Sequence, residues 1–131
     1  MWTFRTLVAL GLFLFGTTFL WITAAFAGRT PPPTGIAWTL VNILALVTVA
    51  GFMVAGWGVF KEHPWWSTAA LLSAVVGLVA VVPFIIGLVQ AHVGFGDLGV
   101  QINLWMHMLG SLLVIGLVHV PVAHEWVIHR L

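Results

Sequence analysis

Charge is the scarcest property of this chain. Lys, Arg, Asp and Glu make up 5% of its 131 residues, against about 25% in soluble domains. With four basic and three acidic residues and a net charge of +1, no basic stretch is long enough to follow a phosphate backbone. Nucleic acid is therefore excluded as a partner. Cysteine is absent, which removes disulfide staples, thiolate nucleophiles and cysteine-ligated iron–sulfur clusters. No glycine-rich phosphate loop, G-x-S-x-G elbow or H-E-x-x-H motif occurs, so the motif-borne hydrolase and nucleotide chemistries have no foothold. No catalytic residue and no metal-ligand set is expected.

What is present is apolar. Hydrophobic residues make up 62% of the chain. A soluble fold of this size could not hide that much apolar surface, and a disordered chain would not carry it. The chain is expected in a lipid bilayer. Spanning helices need ~20 mainly apolar residues, and the segments 6–27, 36–60, 66–90 and 100–122 qualify. Each is continuously apolar rather than alternating, which selects helices over barrel strands. The expected fold is all-α: one integral membrane domain over residues 1–131, built as a four-transmembrane-helix bundle.

Arg5, Lys61 and Arg130 fall on one side of such a bundle and Arg29 on the other. The positive-inside rule then places the N- and C-termini in the cytoplasm, with the inner membrane of a prokaryote as the expected location. Trp2, Trp57, Trp65, Trp66 and Trp126 gather near one interface, and Trp21, Trp38 and Trp105 toward the other, as in an aromatic belt. Arg5, the apolar run after it and Ala25-Phe26-Ala27 also have the outline of a secretory signal. The apolar run is longer than a signal core, so an uncleaved first helix is expected.

Lipid tails do not drive helices together, so close packing rests on small residues. Gly51 with Ala55, Ala70 with Ala74, and Ser73 with Gly77 supply such pairs, and Gly110 and Gly116 flatten the last helix. These pairs serve bundle packing first and a homo-oligomer interface second. Pro83 inside the third segment frees the carbonyl of Val79.

No carboxylate lies within a span. A proton-coupled antiporter of this size would need one in the membrane, which argues against that mechanism. The unusual polar feature is histidine: six residues, His63, His92, His107, His119, His124 and His129. At ~100° per residue, Asn103, His107 and Ser111 (i, i+4, i+8) form one polar stripe on the last helix. That stripe should face protein or a cavity rather than lipid. Met106 and Met108 flank His107, but adjacent helical side chains diverge too far to chelate one ion, so copper is not expected.

Histidine on facing helices is the ligand set of haem b, and a polar patch in a bundle can hold a quinone head group. On the outer side His107 and His92 are the candidates. Asn103, Asn42 and Ser111 complete a cluster, with Gln101, Gln90 and Asp97 near its mouth. On the inner side His63, His119 and His124 form a second candidate cluster. His119 points about 120° away from His107 and lies ~18 Å along the axis, so the two cannot share a ligand. Against all this stands the plain role of a membrane histidine as a helix–helix hydrogen-bonding group, worth ~0.6 kcal/mol on average. The expectation is a small integral membrane protein without catalysis of its own, an oligomeric or accessory subunit of a larger membrane complex. Its alternatives are an electron-transfer subunit binding haem b or quinone, and a small carrier or channel.

Overall fold

The computed structural model describes residues 2–131. Helix α1 spans Phe4–Thr18, α2 Ile36–Phe60, α3 Trp66–Gln90, α4 Leu98–His119 and α5 Pro121–Ile128, with short 3₁₀ turns at Phe19–Ile22 and Ala24–Phe26. There is no strand among the described residues. The four segments Phe4–Ile22, Ile36–Phe60, Trp66–Gln90 and Leu98–His119 are long and apolar enough to cross a membrane. The protein is thus an all-helical chain with the makings of an integral membrane bundle.

Two boundaries differ from the hydropathy pattern, and each has a local cause. The first apolar run extends to Ala27, yet α1 stops at Thr18. The hydroxyls of Thr17 and Thr18 donate to the carbonyls of Leu14 and Phe15 at 2.8 and 2.6 Å. Such local bonds compete with the helical ladder, and the chain tightens into 3₁₀ turns before Thr23 becomes extended. At the other end, α4 stops at His119 rather than at Val122. Pro121 disfavours helical backbone in the residue before it. Val120 is accordingly extended (ψ 118°), and Pro121 opens α5 at a position where its missing N–H costs nothing. Helix α5 folds back on α1, with Trp126 edge-on to Phe4 at 5.9 Å.

Helices α2 and α3 form the most extensive pairing and hold the centre of the core. Ala45, Phe52, Ala55, Ala70, Ala74 and Ala80 are fully buried there. The seam is close because it is small. A Cβ at Gly51 would overlap Ser73, and one at Gly77 would stand 3.0 Å from Thr48 Cγ2 across the seam and 2.6 Å from Phe19 Cζ of the first segment. Helix α1 packs on α2, and α4 packs mainly on α3. Of the spanning helices α4 is the least covered: its buried residues are His107 and Ser111. Leu109, Leu112 and Leu113 on the same helix are exposed, as side chains facing lipid would be.

The two ends of the bundle are chemically distinct. At one end Arg5 pairs with Glu62, and its other guanidinium nitrogen donates to the main-chain oxygen of Leu131 at 2.5 Å. Lys61 lies over the Trp57 ring at 5.0 Å and Arg130 over the Trp126 ring at 4.0 Å. The first helix, the α2–α3 connector and α5 therefore share this end. At the opposite end, Arg29, His92 and Asp97 surround a cleft.

Candidate functional site

That cleft has a volume of about 680 Å³ and opens between the 3₁₀ segment, the end of α3 and the start of α4. Its walls are amphipathic. Trp21, Phe84 and Leu88 supply apolar surface, Arg29, His92 and Asp97 supply polar groups, and Asn103 lines it from α4. Asp97 has a second duty as the N-cap of α4, where its carboxylate accepts from Val100 N at 3.1 Å. His92 reaches the cleft from a left-handed backbone (φ 54°). It occupies the position after the C-cap of α3, with Val93 N donating to Leu88 O at 3.0 Å. Glycine is the favoured residue there. A histidine held in that conformation costs stability, a pattern common at binding sites.

Below Asn103 the polar stripe of α4 descends into the bundle. His107 and Ser111 are both fully buried. The Nδ1 of His107 lies 2.5 Å from the Asn103 carbonyl oxygen. A carbonyl can only accept, so Nδ1 carries the proton, and in the neutral ring Nε2 is left as an acceptor. Nε2 has no partner, and neither has Asn103 Oδ1 or Ser111 Oγ. The Thr18 backbone is the other main-chain group close to this imidazole. Phe19 packs edge-on against the imidazole at 4.5 Å, backed by Phe15 and Phe52. Phe15 also covers Gly110, where a Cβ would collide with its ring.

Ser111 breaks a habit of this chain. The hydroxyls of Thr17, Thr18, Thr23, Thr39, Thr48 and Ser73 all donate to a carbonyl three or four residues back. That local bond is the ordinary way for a helical hydroxyl to satisfy itself away from water. Ser111 does not make it. An unpartnered buried polar group costs about 1–3 kcal/mol. The stripe thus concentrates unsatisfied hydrogen-bonding capacity in an apolar setting, and that capacity calls for a partner.

The chain has no match among known protein families, curated proteins or solved structures.

Asn42, on α2, meets another face of the first segment: its Oδ1 accepts from Ala24 N at 2.9 Å, and it lines a separate cleft with Leu20 and Thr23. Its visible role is to pin the 3₁₀ segment to α2. Gln101 is engaged with the Phe95 carbonyl and with Trp105 Nε1. His92 and Asn103 share the outer cleft, with His107 one turn below Asn103. At the other end, His63 and His124 line one cleft of about 330 Å³ together with Arg5 and Glu62. His63 stacks on Trp65 at 5.1 Å, and His124 lies 6.2 Å from Trp66. His119 is exposed and is not among the residues lining that cleft. A bis-histidine haem would need a second imidazole at the depth of His107. The outer-cleft position of His92 and the opposite-end position of His63 and His124 do not supply it. No group of three His, Asp or Glu side chains converges as a metal site among the described residues.

The sequence marked Arg29 only for sidedness, not as a residue of the cleft, and did not mark the Phe15–Phe19 wall. A lone basic residue on one side of a bundle, and aromatics spaced i, i+4 along the first helix, were the available signals.

Proposed function

We propose that this chain is a small, non-catalytic membrane protein that binds the polar head of a lipid-soluble ligand in its outer cleft. A quinone-class molecule is the ligand type that suits it best. The observation that carries this is the buried stripe of Asn103, His107 and Ser111, with unpartnered polar atoms running inward from a cleft of amphipathic lining. Apolar walls with a few convergent polar groups are the usual make-up of a small-molecule site. The stripe also favours binding over transport. Toward the other end α4 continues as Val114, Ile115, Gly116, Leu117 and Val118, and the hydroxyls of Thr48 and Ser73 are spent on their own helices. A polar path that ends inside the bundle suits a held ligand better than a passing one.

In this reading the Arg5–Glu62 end faces the cytoplasm of a prokaryotic cell, because Arg5, Lys61 and Arg130 gather there. The outer cleft then opens on the far side of the inner membrane. The protein acts as an accessory subunit, alone or as a homo-oligomer, beside a larger membrane complex that uses the ligand.

The test is equilibrium partition of decyl-benzoquinone into nanodiscs carrying the protein, compared with empty nanodiscs. Saturable one-to-one binding above the lipid background is expected, weakened at least about tenfold in Asn103→Leu. Partition equal to that of empty nanodiscs would overturn the proposal.

A further inference from the structure

We infer that the cleft at the Arg5–Glu62 end, with the apolar groove beside it, holds a phospholipid whose head carries a primary ammonium, of the phosphatidylethanolamine class. The site is at the opposite end of the bundle from the outer cleft and does not depend on what that cleft binds. Its polar chamber has a volume of about 330 Å³, with Arg5, Glu62, His63, Ser67 and His124 in its lining. A smaller hollow of about 130 Å³ lies between α1 and α4 and is walled by apolar side chains, among them Val8, Leu12, Ala70, Val114 and Val118. It exists because α1 packs on α2 and α4 on α3, which leaves the facing sides of α1 and α4 without an extensive pairing. Trp66 lines both spaces. Polar lining at the bundle's end, an apolar groove along the spanning helices and a tryptophan where they adjoin match the head, chain and interface of a lipid.

The charges in the chamber select the head. Arg5 and Glu62 are a guanidinium and a carboxylate paired with each other, so with neutral histidines the lining has no net charge. Lys61 and Arg130, the other cations of this end, lie over the Trp57 and Trp126 rings and do not line the chamber. A zwitterion complements such a lining better than an anion does. Arg5 has more N–H donors than Glu62 and the Leu131 oxygen take up, and the rest can meet a phosphate. Glu62 can accept from an ammonium. It is held for this in a left-handed backbone (φ 60°). Glu62 N donates to Val59 O at 3.2 Å and His63 N to Gly58 O at 2.8 Å, the helix-ending turn in which glycine is favoured at this position. A glutamate there costs stability, as residues at ligand clamps often do. His124 Nδ1 is buried without a partner. A phosphoethanolamine head meets it in either tautomer, through phosphate if Nδ1 donates and through ammonium if it accepts. A trimethylated head keeps the charge but has no N–H for Glu62. A head with phosphate and no ammonium leaves Glu62 facing like charge.

The full chain, delipidated in detergent, is titrated with phosphatidylethanolamine, phosphatidylcholine and phosphatidylglycerol of identical dioleoyl chains, and bound lipid is counted by native mass spectrometry. The ethanolamine lipid is expected to bind at least about fivefold tighter than either of the others. Glu62→Gln should bring the three within about twofold, chiefly by weakening the ethanolamine lipid. Should that variant fail to fold, Glu62→Gly removes the same carboxylate and suits the left-handed backbone. Lys61→Gln, a change at the same end but outside the chamber, should leave the preference intact. Glycerophosphoethanolamine, the same head without chains, should not displace the lipid even in hundredfold excess. Equal binding of the three lipids would mean an ordinary lipid belt and would overturn the inference, as would tighter binding of phosphatidylglycerol. Loss of the preference in Lys61→Gln would assign it to general surface charge and overturn the chamber's role. Displacement by the chainless head would overturn the part played by the groove.

Discussion

Replacing Ser111 by alanine separates an unpaired hydroxyl from a structural one by the sign of the effect. In the ligand-free protein Ser111 Oγ is buried and has no partner. Removing a group in that state recovers part of its desolvation penalty of about 1–3 kcal/mol. A small loss of packing works in the opposite direction. Ser111→Ala is therefore expected to stabilise the ligand-free bundle by about 1 kcal/mol. Ser73 is the internal control. It is almost as buried, but its hydroxyl donates to Ala69 O at 2.6 Å. Ser73→Ala should cost about 0.6 kcal/mol, the usual worth of such a bond in a membrane bundle. Reversible unfolding in mixed micelles, or steric trapping in bicelles, can resolve the two signs. A ligand-free Ser111→Ala protein less stable than Ser73→Ala would refute the reasoning, since the hydroxyl would then be paired within the bundle.

Other outcomes follow from the same geometry. The absence of native cysteine makes the chain a ready background for thiol labelling. Asn103→Cys should react readily with an impermeant cationic thiol reagent added from the Arg29 side. Ser111→Cys, ~12 Å deeper along the helix, should react at least about tenfold more slowly and be protected by ligand; equal rates would mean an open aqueous pore. Gly77→Ala should destabilise the fold by about 1–3 kcal/mol through overpacking, because its Cβ would stand 2.6 Å from Phe19 Cζ. The same change should weaken ligand binding without touching a polar residue, through the ring that walls His107; unchanged stability and affinity would show that Phe19 is free to give way. His92→Gly should stabilise the protein by about 1 kcal/mol by relieving a left-handed backbone, φ 54° here. It should also weaken binding in the cleft, and thermal unfolding together with nanodisc partition would read the opposed effects.

Much of the architecture was legible because it depends on quantities that add along the chain. The second and third spans, Ile36–Phe60 and Trp66–Gln90, fall where hydropathy alone places them. The stripe of Asn103, His107 and Ser111 follows from helical periodicity, and the structure buries the last two of these residues fully. Asn42 was a different matter. Its place in the outer half of the second span put it in the His107 cluster, but depth says nothing about rotation, and the break after Thr18 brings Ala24 N to its side chain instead. The grouping of histidines was equally open. His63 and His124 share a cleft because α5 folds back after Pro121, and His119 stays outside it.

Composition and periodicity alone thus determined that the chain is helical, apolar enough for a membrane, and marked on its last long helix by one polar stripe. A local average over ~20 residues is enough for that, because a bilayer core leaves the backbone few other options. Tertiary structure alone decided which polar atoms find partners. Whether Nε2 of His107 or the hydroxyl of Ser111 is satisfied turns on how α1 and α4 meet across Phe15, Phe19 and Gly110. That packing depends on residues nearly ninety positions apart, the sequence separation of Phe19 and His107, and no local pattern encodes it.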